Sequence, residues 1–184
     1  MNLPNKITIA RVMLIPVFLF LYLVQPFHEI VNMWLALLVF VTAAATDALD
    51  GYYARKLGLV TNLGKLMDPL ADKLLVSAAF IAFASTGDMQ AWAVILLISR
   101  EFYITGFRQI AMDYNIVLAA SFWGKLKTVF QITLIVYIIL PPPFTLLVFN
   151  FIIHALVIVT TAISIYSAVD YTMKNRIVFG ERRK

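Results

Sequence analysis

The sequence predicts an all-α integral membrane protein: six transmembrane helices, a short interfacial helix at the N-terminus and both termini in the cytoplasm. Three observations carry that prediction. The 184 residues are 62% hydrophobic and only 14% charged, where soluble domains are roughly half apolar and about a quarter charged. Mean hydropathy is +0.88. Six stretches are apolar over a length that crosses a hydrocarbon core of ~30 Å, which takes about 20 helical residues. The third observation is the distribution of the 15 Lys and Arg residues, all of which fall toward one face once the stretches alternate. The same composition excludes a soluble globule and a disordered chain. With no Cys in the sequence, disulfide frameworks, zinc-thiolate sites, iron–sulfur clusters and thiol nucleophiles are excluded too.

The spans are predicted at 8–25, 31–53, 70–86, 90–112, 124–141 and 146–171. Each run is continuously apolar, which fits helices and not the alternating strands of a closed barrel. Leu3-Pro4-Asn5-Lys6-Ile7-Thr8 precedes the first span, and Pro4 with Asn5 favours a helix start lying along the interface. Pro16 is expected to kink the first helix. Turn chemistry marks the breaks: Gln25-Pro26-Phe27-His28, Thr86-Gly87-Asp88, Asp113-Tyr114-Asn115 and Pro141-Pro142-Pro143. No internal repeat, low-complexity segment or linker interrupts the chain, so a single domain over 1–184 is expected.

Lys and Arg orient the helices, because basic residues are retained on the cytoplasmic side. The turns opposite the termini contain His28, Glu29 and Asp88 but no Lys or Arg. Lys6 and Arg11 before an apolar run mimic a secretory signal, yet no small-residue cleavage site follows Tyr22, so a retained helix is expected. The net charge of +5 then serves topology and an anionic ligand. Nucleic acid is not an expected partner, since no soluble basic patch interleaved with aromatics is present.

Four of the ten acidic residues sit where two spans end. Asp47 and Asp50 are three apart, Asp68 and Asp72 four apart, and both spacings put a pair on one helix face. A connection near 56–66 folds the two helices back to back, so the four carboxylates converge. Like charges this close in a low-dielectric setting need a cation among them. All-oxygen ligands favour Mg²⁺, Mn²⁺ or Ca²⁺ over zinc or copper. Four carboxylates suffice for two ions, and a pair ~3.5–4 Å apart is the arrangement used in phosphoryl and phosphodiester displacement. Gly51 and Ala54, one turn beyond the aspartates, leave room for a ligand to approach the backbone, and Arg55 offers a bidentate phosphate contact. The competing reading is a solvated or topology-stabilising network with Arg55, Lys65 and Lys73. Four carboxylates at helix-face spacing beside small residues favour metal.

Asp47 through Gly64 to Asp72 spell D-x2-D-G-x2-A-R-x8-G-x3-D-x3-D without a departure. This resembles the signature of the CDP-alcohol phosphotransferases, integral membrane enzymes of phospholipid synthesis. Leu3 to Thr8 with Arg11, the segment from Arg100-Glu101-Phe102 to Gly106-Phe107-Arg108, and Gly124-Lys125-Leu126-Lys127-Thr128 resemble the bacterial branch that makes phosphatidylglycerophosphate. The resemblance implies a six-helix membrane fold, usually homodimeric, in the bacterial cytoplasmic membrane. It implies a polar cavity open to the cytoplasm and two divalent ions, Mg²⁺ or Mn²⁺, per subunit. The implied reaction moves a phosphatidyl group from CDP-diacylglycerol to sn-glycerol 3-phosphate and releases CMP. Asp47, Asp50 and Asp68 match the family's metal ligands, and Asp72 its general base and metal neighbour. Gly51, Ala54, Arg55 and Gly64 match positions that accommodate the CDP moiety. No Ser, Cys or His is placed as a covalent nucleophile, which favours direct displacement.

The acceptor needs an anion site of its own. Arg108 and Lys125 are the foremost phosphate ligands expected, with Arg100 and Lys127 behind them. Arg100 reads equally as a buried partner of Glu101, and Lys127 as a lysine snorkelling to the interface. Arg108 is expected on roughly the same face as Arg100. The basic C-terminal residues Lys174, Arg176, Arg182, Arg183 and Lys184 suit anionic lipid headgroups. His154, alone in an apolar helix, reads as a hydrogen-bonded packing residue, and Trp34, Trp92 and Trp123 as interfacial anchors. Two alternatives stay open: another acceptor such as inositol phosphate, serine or phosphatidylglycerol, and a cation-coupled transporter whose aspartates relay ions.

Overall fold

The computed structural model describes the backbone over residues 3–57, 62–114, 121–141 and 146–176, with Ile116, Leu118 and Val178. Side chains are described over 9–46, 73–112, 121–141 and 148–176, with Tyr114, Ile116, Leu118 and Val178. Within these residues lie six α-helices and no strand: α1 Leu3–Leu19, α2 Glu29–Leu57, α3 Asn62–Thr86, α4 Ala91–Asp113, α5 Phe122–Ile139 and α6 Leu146–Lys174. A π-helical turn, Phe20–Val24, continues α1. Each predicted span coincides with one helix, or with α1 and its π-helical continuation, to within two residues at the ends: Gln25, Gln90, Leu140 and Pro141 fall just outside.

Glu29–Thr46, Phe122–Ile139 and Val148–Lys174 are each long and apolar enough to cross a membrane, and Ile9–Val24 and Lys73–Thr86 are shorter apolar helices. The 23-residue α4 is interrupted by Arg100, Glu101 and Arg108. Large apolar side chains such as Met13, Leu38, Ile81, Ile95, Phe151 and Ile158 are exposed, a surface that hydrocarbon covers without cost and water does not.

The N-terminus departs from expectation. α1 is helical without a break from Leu3, so no separate interfacial helix precedes it among the described residues. Pro4 stands in the first turn, where its missing N–H has no intrahelical acceptor to lose. Pro16 lies inside α1, which continues through it and widens into the π-helical turn four residues later. That turn stops at Gln25, whose left-handed backbone (φ 51°, ψ 60°) redirects the chain into Pro26. The other predicted turn with an identifiable backbone signal is Thr86-Gly87-Asp88, where Gly87 has φ +86°. Such a value is open to glycine and strained for most other residues.

The chain divides into two compact units, Met1–Asp88 with Ile138–Pro143 and Met89–Tyr137 with Phe144–Lys184. In the first, α1 packs against α2 and α3, and these two also touch. Phe18 lies 5.9 Å from both Tyr22 and Phe40, and Tyr22 meets Phe83 edge-on at 5.1 Å. Ala36, Ala43, Ala79 and Ala82 are buried among them, and small residues of this kind let apolar helices approach closely. The polar rim is held by Tyr22, whose hydroxyl donates to Asp88 at 2.7 Å, and by Thr86, which donates to the same carboxylate. Asn32 is buried in α2 and closes the α1–α2 turn: its Nδ2 donates to the Phe27 carbonyl at 2.6 Å and its Oδ1 accepts from the Phe27 N–H at 3.3 Å.

In the second unit α4 packs on α6. Arg100 meets Ser167 near one end of the contact, and Tyr103 and Phe107 meet Thr172 and Tyr171 about one turn further along both helices, so the helices run parallel. Ile104, Phe107, Ala111, Tyr171 and Val178 form its buried cluster. Trp123, half-buried, packs edge-on against Tyr166 at 4.8 Å, whereas Trp34 and Trp92 are exposed as interfacial anchors should be. His154 corrects its expected role in part. Its Nδ1 bonds the Asn150 carbonyl at 2.7 Å, but the side chain is exposed and packs nothing away from solvent or lipid.

Asn32→Ala is expected to lower stability by about 1 kcal/mol, because two backbone groups of Phe27 lose their bonds to a buried side chain. Thermal unfolding in detergent micelles measures this, and an unchanged midpoint refutes the clamp.

Candidate active site

The acidic residues belong to two helices joined by a four-residue connection. α2 ends at Leu57 and α3 begins at Asn62, so both helices extend further toward each other than the predicted spans did. A link this short between touching helices returns the chain antiparallel. Asp47 lies ten residues before Leu57 and Asp72 ten residues after Asn62; Asp50 lies seven before and Asp68 six after. At 1.5 Å of rise per residue, the outer pair stands about 15 Å from the connection and the inner pair about 10 Å. The four positions therefore fall on two matched levels. Unbroken helix at each pair preserves the same-face spacing read from the sequence, and Gly51 and Ala54 follow Asp47 and Asp50 by one turn each.

The side chains of Asp47, Asp50, Gly51, Ala54, Arg55, Gly64, Asp68 and Asp72 lie outside the described residues. Their donor chemistry still tests the fit to a metal. Four carboxylates on paired helix faces, in a chain without Cys, make an oxygen donor set suited to hard divalent ions and unsuited to soft ones. The residues fit such an ion. Arg11, in the same unit, is 1% exposed, a burial that its appearance in the N-terminal motif did not reveal.

The basic candidates occupy the second unit and separate into two kinds. Arg108 on α4 and Lys125 on α5 are exposed. Arg100 and Lys127 are not: their side chains are 9% and 4% exposed, and both face Glu101. Arg100 Nη1 lies 3.5 Å from Glu101 Oε2, and Lys127 Nζ pairs with the same oxygen. Arg100 Nη2 donates to Ser167 Oγ at 2.7 Å. Arg100 and Arg108 are thus in different surroundings, contrary to the expectation that they share a face. Eight residues advance a helix by about 80° beyond two full turns, enough to turn Arg108 outward. Lys127 does not snorkel, because the nearby carboxylate retains it inside.

Ser167 was not anticipated from the sequence. Its signal was present in the recurrence of Thr160, Ser164 and Ser167 on one face of an otherwise apolar α6, all buried.

The CDP-alcohol phosphatidyltransferase family model matches residues 1–163. The chain belongs to the CDP-alcohol phosphatidyltransferase family. Among curated relatives, it is similar to the CDP-diacylglycerol–glycerol-3-phosphate 3-phosphatidyltransferase of Bacillus subtilis (strain 168), 45% identical over 95% of each chain. The Rickettsia typhi protein of the same name is 40% identical over 71% of each chain. That of Mycoplasma pneumoniae is 35% identical over 71% of this chain and 64% of its own. Membership in this enzyme family displaces the cation-coupled transporter reading. Enzymes of the family generally use a divalent metal, in agreement with the donor set.

Glu101→Gln is expected to cost about 2 kcal/mol, since Arg100 and Lys127 both lose a partly buried counter-charge. A melting midpoint equal to the parent's refutes Glu101 as the tie between α4 and α5.

Proposed function

We propose that the protein transfers the phosphatidyl group of CDP-diacylglycerol to the primary hydroxyl of sn-glycerol 3-phosphate, giving phosphatidylglycerophosphate and CMP. The observation that carries this reading is the 45% identity to the Bacillus subtilis enzyme across 95% of both chains, with the eight-position aspartate motif intact.

The residues divide the chemistry. Asp47, Asp50, Asp68 and Asp72 would hold Mg²⁺ or Mn²⁺, two ions per subunit, and such ions would supply charge neutralisation at the diphosphate. Gly51, Ala54 and Gly64 leave space for the cytidine diphosphate, and Arg55 donates to it. Asp72 accepts the proton of the acceptor hydroxyl as that oxygen bonds to the β-phosphorus and the bond from phosphorus to the CMP oxygen breaks. CMP departs with the bonding pair, so atoms and charge balance in one displacement with no covalent enzyme intermediate. Arg108 and Lys125, exposed and cationic, bind the phosphate of the acceptor, assisted by Arg100 and Lys127.

The chain works as one domain over 1–184, supported by a family match that runs through both compact units. It is a multi-pass protein of the bacterial cytoplasmic membrane with both termini and the active site on the cytoplasmic face. Support for that orientation comes from the absence of Lys and Arg in the turns around His28 and Asp88. Two copies form a homodimer, and the C-terminal basic residues contact anionic headgroups.

Purified protein supplied with CDP-diacylglycerol, Mg²⁺ or Mn²⁺ and a panel of acceptors tests the reaction by CMP release. Release with glycerol 3-phosphate alone is expected; equal release with inositol phosphate or serine overturns the acceptor assignment. Chelation by EDTA should abolish turnover and either ion restore it. Asp72→Asn is expected to lower kcat by at least about 100-fold with CDP-diacylglycerol binding retained, and a kcat near the parent's removes Asp72 as the base. Arg108→Ala should raise the KM for glycerol 3-phosphate with little change in that for the lipid.

A further inference from the structure

Arg100 is engaged on two of its three nitrogens. Nη2 donates to Ser167 Oγ at 2.7 Å and Nη1 lies 3.5 Å from Glu101 Oε2. Its Nε is buried and has no hydrogen-bond partner among the described residues. The short bond comes from the neighbouring helix, not from Glu101, whose position one residue along α4 points it to a different side. Ser167 is fully buried, at 0% exposure, so no bulk water stands ready to replace its oxygen. Its single hydroxyl proton is donated to the Ser164 carbonyl at 3.1 Å. The oxygen is thereby left with only lone pairs for the guanidinium, and accepting is all it can do there.

The arrangement has directional consequences. A guanidinium recognises a phosphate through two parallel N–H groups in one plane, so its orientation about the side-chain axis decides whether it binds well. One fixed Nη sets that plane. We propose that Ser167 is a positioning residue for the acceptor: by accepting one N–H of Nη2 it holds the Arg100 plane so that Nε–H and the second N–H of Nη2 meet the phosphate of sn-glycerol 3-phosphate. The inference rests on the reading of Arg100 as an acceptor-phosphate ligand. The competing role for a buried serine between parallel membrane helices is close packing, which Ala would serve equally well.

Ser167→Ala removes the oxygen at nearly constant volume. It is expected to raise the KM for glycerol 3-phosphate about tenfold, the loss of one hydrogen bond to a charged group. The inhibition constant for inorganic phosphate should rise in parallel, with kcat and the KM for CDP-diacylglycerol close to the parent's, while the melting midpoint falls modestly because the buried guanidinium loses a partner. In an Arg100→Gln background, or Arg100→Lys where the former does not fold, the same substitution should add nothing, because the serine acts through the arginine. An acceptor KM unchanged by Ser167→Ala but raised by Arg100→Gln overturns the positioning role and leaves the Arg100 reading standing. An acceptor KM unchanged by Arg100→Gln overturns that reading itself. A fall in melting midpoint with both KM values rising together assigns the serine to packing and overturns the proposal.

Discussion

Charge inside an apolar bundle is tolerated only where opposite charge or strong hydrogen bonding meets it, and this constraint organises both halves of the protein. In one unit it bears on four aspartates carried by two adjacent helices, whose charges the proposed cations would offset. In the other it produces the tie between Arg100, Lys127 and Glu101, which brings side chains of α4 and α5 to one carboxylate oxygen. Ion pairs of this sort contribute little net stability over apolar replacements, yet removing one member leaves the others uncompensated. Their presence in a helix as apolar as α4 therefore points to use beyond cohesion. Both sets suit the phosphate chemistry proposed above: acidic residues would hold the ions that attend a diphosphate, and basic residues would receive a second, phosphorylated substrate.

The division of labour between the units follows from what each helix contributes. α2 and α3 carry the four aspartate positions at matched distances from their connection, because an antiparallel hairpin with a brief link counts residues equally in both directions. α4 and α6 run parallel, and their shared direction sets Arg100 beside Ser167 and Phe107 beside Tyr171. In the second unit the Phe107–Tyr171 contact packs α4 against α6 close to Arg100 and Ser167. Preorganisation of this kind is what lets charged groups recognise a phosphate without reorganising when it arrives.

Much of the fold was legible because membrane helices are written in composition. The runs around Phe40, Ile135 and Val157 admit few other structures, and the turn at Gly87 followed from its neighbours Thr86 and Asp88. Helix ends were less legible: the polar residues from Asp50 to Leu57 and from Asn62 to Asp68 weaken hydropathy without weakening helical bonding, so α2 and α3 run beyond their apolar parts. Helix at both aspartate pairs was legible, since their spacing is periodic and the backbone is helical at each. The Arg100–Glu101 pair was legible as one of two readings of Arg100, but the inward Lys127 and the outward Arg108 were not, because burial depends on which neighbour each side chain faces. Asn32 was invisible for a related reason. A lone polar residue in an apolar helix gives no sign of the turn whose backbone it completes.

The equal count of ten residues from Asp47 to Leu57 and from Asn62 to Asp72 bears on how the chain can change in length. Each residue added inside a helix rotates everything beyond it by about 100°, swinging one carboxylate away from its partners. Between the two helices an extra residue alters neither phase. Insertions and deletions among descendants of this chain should therefore collect in the loop and spare the stretches from Asp47 to Leu57 and from Asn62 to Asp72.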